Sequence, residues 1–202
     1  ILRYNLDAPT VRTLISNDEH DISSNWLPTD VKAAIGNSGD KLAKVVSAGG
    51  WYFKINTTRA PLDDVNCRKS LAYALDYDSL VGTFQVTDDI AAGQKARGPI
   101  PQGMIGYSED VPLVEYNLDK ARDYLSKCKY SGDDLKVTIN WIAEVPFEES
   151  WALILQQGAM AIGYDATVET LPWAVFTEQV TKPETTPNLS IVAVQAQTPD
   201  PD

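Results

Sequence analysis

An α/β fold is what this sequence predicts, and two observations carry that expectation. Segments whose apolar residues alternate at every second position take turns with segments whose apolar residues recur every third or fourth. The chain has 202 residues and is 44 % hydrophobic, enough to bury a sizeable core as a single domain. No internal repeat or low-complexity tract interrupts the alternation.

Ile1 to Leu6 alternates like a strand and residues 9–17 read as a helix. Asp21-Ile22 begins a short strand, and Pro28 opens a helix reaching about Ile35. Leu42–Ser47 and Gly50–Asn56 read as two strands; in the second, Trp51, Phe53 and Ile55 share a face. A helix over 64–75 follows, capped by Asp63 or Asp64, with Cys67, Leu71, Ala74 and Leu75 inward. Asp64 and Arg68 stand at i,i+4, the spacing of a helical ion pair. Asp76 and Asp78 lead into a short helix ending near Phe84, and 88–116, rich in Gly and Pro, reads as a long loop.

Asn117 caps a helix with Leu118, Ala121, Leu125 and Cys128 inward. Leu135, Val137, Ile139 and Trp141 alternate with polar residues as in a half-buried strand. Over 147–162 the residues Trp151, Ile154, Leu155, Gly158, Ala159 and Ile162 form a helical stripe, and Glu148 and Glu149 suit its positive N-terminus. Asp165–Leu171 is a strand, Pro172 opens another helix, Pro183 and Pro187 bracket a loop, and Leu189–Val194 reads as a buried central strand.

Composition removes several functions. The net charge is -11, from 28 acidic and 17 basic residues, and no Lys/Arg cluster offsets it locally. Such a chain repels phosphate backbones, which argues against nucleic-acid binding. Its apolar runs fall far short of membrane-spanning length. One histidine, His20, leaves His-dependent triads and multi-His metal sites without parts. No phosphate-binding, zinc-hydrolase or nucleophile-elbow motif occurs. Asn17-Asp18-Glu19-His20-Asp21 gathers metal-binding residue types, but consecutive ligands cannot all face one ion, so a solvated turn is expected. Cys67 and Cys128 match neither a zinc nor a Cys-x-x-Cys redox pattern. Two buried thiols are the favoured reading and a disulfide the alternative. No cofactor and no metal is expected.

Five tryptophans remain: Trp26, Trp51, Trp141, Trp151 and Trp173. Trp51 and Trp151 lie on apolar stripes and read as core. Trp141 ends a strand and Trp26 precedes a Pro-containing turn; packing or the lining of a pocket fits either.

The run from Phe53 to Asp76, Phe-Lys-Ile-Asn-Thr-Thr-Arg-Ala-Pro-Leu-Asp-Asp-Val-Asn-Cys-Arg-Lys-Ser-Leu-Ala-Tyr-Ala-Leu-Asp, resembles the central signature of family 5 solute-binding proteins of ABC importers. Gly98-Pro99-Ile100-Pro101, Tyr116 to Leu125, Ile162-Gly163-Tyr164-Asp165 and Asn17 to Ile22 resemble further motifs of that family, in the same order. The resemblance implies a periplasmic-binding-protein-like (type II) lobe with a mixed sheet flanked by helices. It implies that 1–202 is one domain, most of the second lobe, with the first lobe and a C-terminal return outside it. The absence of an initiator Met at Ile1 agrees with a fragment.

By resemblance the protein captures a small solute, a peptide or peptide-like molecule, between two lobes. It works outside the cytoplasm as a monomer and delivers the solute to membrane permease subunits, without being an enzyme. Oligosaccharide or nickel-complex binding, and signalling in place of transport, are alternatives within the family. A carboxylate-dependent enzyme is the rival from another class. Ligand contacts are expected from Asn25, Trp26, Trp141, Gln195, Gln197 and Thr198. In peptide-binding members a segment like Asp-Tyr-Pro-Asp-Pro places an Asp on the peptide's ammonium. Gln197-Thr198-Pro199-Asp200-Pro201 resembles it with a neutral amide at that position.

Overall fold

The computed structural model describes residues 6–23, 27–38, 42–43 and 49–195. They fall into two compact units, residues 1–46 with 81–94, and 47–80 with 95–202.

The first unit contains α1 (Ala8–Ser16), α2 (Pro28–Ser38), β2 (Gln85–Thr87) and β3 (Ile90–Ala91). Asp7 caps α1 by accepting from Thr10 N–H, and the Arg12 guanidinium reaches Asp30 of α2 at 3.4 Å. β2 and β3 form a small antiparallel hairpin with an irregular register. β3 lies inside the stretch 88–116 read from sequence as loop, and β2 falls between it and the helix expected to end near Phe84. Asp21 is a bend, and Ile22 and Ser23 have no regular structure where a strand was expected to begin. The strand expected at 1–6 falls almost wholly outside the described residues. Of the strand expected over 42–47 only Leu42 and Ala43 are described, without regular structure.

The second unit is built on a mixed four-stranded sheet in the order β1-β6-β4-β5. Its strands are β1 (Gly49–Ile55), β4 (Lys136–Ile142), β5 (Asp165–Leu171) and β6 (Leu189–Gln195). β4 runs parallel to β5 and to β6, while β1 pairs antiparallel with β6 from Gly49↔Gln195 to Ile55↔Leu189. The carboxyl ends of β4, β5 and β6 therefore share one edge of the sheet with the start of β1. β4 and β5 are in register along their whole length, but β4 and β6 only at Ile139↔Leu189 and Asn140↔Ser190. Beyond those pairs β6 parts from β4.

One face of the sheet is covered by α6 (Phe147–Ile162), on which α3 (Val65–Ala74) and α5 (Leu118–Ser126) pack in turn. α4 (Tyr77–Gly82) follows α3 and α7 (Trp173–Gln179) follows β5. The buried stripe of α6 includes Trp151, Leu155, Gly158, Ala159 and Ile162. A Cβ on Gly158 would sit 1.9 Å from the Ala74 carbonyl oxygen, so the crossing of α3 and α6 requires glycine there. Gly163, at φ 114°, ends α6 in a left-handed turn that other residues resist. On the opposite face, Ile142, Val192 and Phe176 of α7 form a small buried cluster.

Asp64 caps α3 through Oδ1, which accepts from Asn66 N–H and Cys67 N–H. Its other oxygen accepts from Lys129 N–H. The expected ion pair with Arg68 does not form: that guanidinium donates instead to the Leu62 carbonyl at 2.8 Å. The buried-thiol reading is also corrected, because Cys67 and Cys128 are joined in a disulfide with their Cα atoms 5.2 Å apart. The bond ties the start of α3 to the residues after α5. The stacked rings of Tyr73 and Tyr124, centroids 5.5 Å apart, fasten the same two helices.

Candidate functional site

Ligands of open α/β sheets bind beyond the carboxyl ends of the strands, where loops leave the sheet and strands separate. Here that edge carries Trp141 near the end of β4, Gln195 at the end of β6 and Trp51 at the start of β1. Trp51 was expected in the core, yet it is 39 % exposed. Its ring meets Phe147 edge-on at 4.9 Å and the buried Trp151 at 5.8 Å. The reason is the end of the sheet: Trp51 shares a face with Phe53 and Ile55, but β1 begins only two residues earlier and nothing described covers the ring's outer side. Trp173, 54 % exposed, opens α7 at the same edge, where Glu144 Oε2 accepts from its backbone N–H.

Of the six residues expected to contact ligand, the structure brings Trp141 and Gln195 to this edge, half-buried and exposed respectively. Asn25, Trp26, Gln197 and Thr198 lie outside the described residues. Sequence reasoning missed the partnership of Trp51 with Phe147. The spacing of Trp51 along β1 gave the face, but no local pattern marks where a sheet ends.

Glu148, expected to suit the positive N-terminus of α6, is only 1 % exposed. Its Oε2 accepts from Ile142 N–H at 2.8 Å, and its Oε1 is buried with no partner among the described residues. Burial pushes its carboxyl up to about 7, against the opposing pull of the Ile142 N–H.

A separate groove of about 740 Å³ lies elsewhere in the same unit. It runs along the α7 face, lined by Lys54, Thr58, Trp173, Phe176, Thr186 and Ser190 among others. Neither of the two expected contact residues that are described, Trp141 and Gln195, lines it. At its far end Asn56 donates through Nδ2 to the Pro183 and Thr186 carbonyls, and its Oδ1 accepts from Thr58. Asn188 donates to the Ala60 carbonyl and accepts from Thr138 N–H. Asn56 thus satisfies turn backbone at the end of β1.

No catalytic arrangement emerges from the described residues. The one close group of metal-ligating types among the described residues, Asp64 with Cys67 and Cys128, is the capped and disulfide-bonded start of α3. No described helix is long and apolar enough to cross a membrane.

The described sheet is thus mixed, flanked by helices on both faces and lined with aromatic side chains at its carboxyl edge. The model of bacterial extracellular solute-binding proteins, family 5 (middle), matches residues 1–202, and the chain belongs to that family. The "probable D,D-dipeptide-binding periplasmic protein DdpA" of Escherichia coli (strain K12) is 27 % identical over 177 residues, covering 87 % of this chain and 33 % of the relative. The chain thus spans about a third of that relative's length. Among solved structures, CtaP of Listeria monocytogenes superposes with a TM-score of 0.84 at 18 % identity, covering 96 % of this chain and 39 % of that one. AppA of Bacillus subtilis, in complex with a nonapeptide, gives 0.77 at 22 %, with 94 % and 39 % covered. These two likenesses establish the fold.

Proposed function

We propose that these residues form most of the second lobe of an ABC-importer binding protein. It captures a peptide or peptide-like solute against the carboxyl edge of this sheet, outside the cytoplasm, and hands it to a membrane permease. The observation that carries the reading is the exposed aromatic surface at that edge, on a chain of this family. Trp51 keeps its outer face open and Trp141 and Gln195 stand on neighbouring strand ends. Aromatic faces of this kind bury large ligand area at little conformational cost, and a second lobe closing over them removes the ligand from water.

Gln197 and Thr198 follow Gln195 closely in the sequence, and we assign them to the contact set with Asn25 and Trp26. A neutral Gln197 accepts a hydrogen bond but brings no charge to a peptide ammonium. Affinity for free and N-acetylated tri-alanine should therefore differ less than threefold.

Calorimetry on the full-length protein tests both statements. Trp141→Ala should weaken tri-alanine binding at least tenfold while leaving the melting temperature within a few degrees. Unchanged affinity in Trp141→Ala would remove this edge from the ligand site. A large preference for the free N-terminus would assign an acidic clamp after all.

A further inference from the structure

Glu148 poses a problem that neither the fold nor the ligand site explains. A helix N-terminus accommodates a carboxylate at its surface without burying it. Here the side chain is instead turned under the sheet edge, 1 % exposed, at the point where β6 has parted from β4. There the backbone N–H of Ile142 has no strand partner on that side, and Glu148 Oε2 takes the strand's place at 2.8 Å. Ile142 follows Trp141 directly, and the turn after it, from Ala143 to Val145, is closed by Ala143 N–H on Leu171 and Val145 N–H on Ile142. One carboxyl thus supports the last residues of β4. Its second oxygen is buried with no partner among the described residues.

Such a carboxyl has two unequal states. As the neutral acid it keeps the bond from Ile142 N–H and carries no buried charge. As the anion it leaves a charged oxygen without a donor in a place that excludes water, and an outward rotation relieves that at the expense of the Ile142 bond.

The charged groups around it offer no compensation. Glu144 is held by Trp173 N–H, Arg122 of α5 donates to the Ala161 carbonyl at the other end of α6, and Arg68 of α3 donates to Leu62. Lys69 of α3 lies over the Tyr124 ring. Lys136 and Asp165 open β4 and β5 at the opposite edge, and Glu149 and Glu169 are exposed. The upward push on the Glu148 carboxyl comes from burial, with no charged neighbour contributing.

We propose that Glu148 is a proton-responsive positioning residue for the carboxyl end of β4, holding Ile142, and Trp141 beside it, when neutral and releasing them when ionised. Its bearing on ligand affinity rests on the reading above that this edge receives the solute.

The test is made on the full-length protein between pH 5.5 and 8.5. Amide exchange at Ile142, corrected for its intrinsic pH dependence, should lose at least tenfold in protection as pH rises, while Val137 in the same strand holds constant. Glu148→Gln, whose amide oxygen still accepts from Ile142 N–H, should stay protected throughout. Glu148→Ala should be unprotected throughout. Tri-alanine affinity should weaken at least threefold over the same range in the wild type and stay flat in Glu148→Gln. Protection at Ile142 that ignores pH in the wild type, or that titrates equally in Glu148→Gln, overturns the proposal. If Ile142 titrates as expected but tri-alanine does not bind at any pH, the positioning role stands and the ligand class assigned to this edge falls.

Discussion

Where β1 finishes and β6 begins, Asn56 and Asn188 tie the strand ends to the Pro183, Thr186 and Ala60 carbonyls. At the opposite edge of the same sheet, Trp51 rests on ring contacts with Phe147 and Trp151, and Glu148 accepts from Ile142 N–H with its other oxygen unmatched among the described residues. The first end is cross-linked backbone to side chain. The second exposes aromatic surface and holds a buried acid. Rigid support at one end and imperfectly satisfied groups at the other is what a binding lobe needs, because a site must leave something for its ligand to complete. The stretch from Phe53 to Asp76 that resembles the family signature supplies the fastened end and the disulfide-linked α3. Its side chains thus carry structural bonds.

Breaking the fastened region should have the largest effect. The disulfide between Cys67 and Cys128 spans 61 residues of sequence, and releasing a loop of that length costs about 4 kcal/mol in the chain-entropy account. Urea unfolding with and without reductant should show a loss of that order. Asn188→Ala comes next. It strips partners from Thr138 N–H and the Ala60 carbonyl at a site only 4 % exposed, for an expected loss of about 2–3 kcal/mol. Neither change touches the aromatic edge, so in variants still folded the ligand affinity should be preserved. A loss of affinity parallel to the loss of stability would blur the contrast drawn here.

Period and caps made most of the second unit legible. The Asp64 and Asn117 caps, the α6 stripe and the strands at 136–142, 165–171 and 189–195 follow from residue spacing alone. What escaped is non-local. The β2–β3 hairpin is too short to show a period, and its β3 falls in a stretch whose glycines and prolines read as loop. The Cys67–Cys128 bond depends on how α3 and α5 meet, and Arg68 turns to a carbonyl that only the folded chain brings near. At the candidate site Trp141 and Gln195 were legible as strand ends. Glu148 was not: two adjacent glutamates at a helix start look alike, and only the parting of β6 from β4 buries one of them.

Glu148 also gives the open edge a pH signature in global stability. Its carboxyl rises from an ordinary 4.5 to about 7 on folding, so the native state holds the proton more tightly than the unfolded chain. The stability linked to this proton is fully present below about pH 4.5 and is lost as pH rises through 7. Allowing for relaxation of the site, the loss is about 1–3 kcal/mol. Relative to the wild type, Glu148→Gln should therefore gain stability as pH rises from 5 to 8. Denaturant midpoints taken across that range check it, and parallel curves for the two proteins would show that the carboxyl does not titrate there.

The smallest expected change in stability is the one that separates the two ends most sharply. Trp51→Ala removes ring contacts at 4.9 and 5.8 Å from a side chain already 39 % exposed. Aromatic pairs of this kind contribute about 0.5–1.5 kcal/mol beyond their buried area, so a stability loss near 1 kcal/mol is expected. If the open face of Trp51 is ligand surface, affinity for tri-alanine in the full-length protein should fall about tenfold, a larger proportional change than the fold suffers. Trp51→Phe should recover most of the stability and only part of the affinity, since phenylalanine fills the position beside Phe147 and Trp151 but presents a smaller face outward. Asn188→Ala should show the reverse ratio, large in stability and small in affinity. Equal ratios in the two variants would mean that Trp51 is core after all and that the aromatic edge has no privileged place in binding.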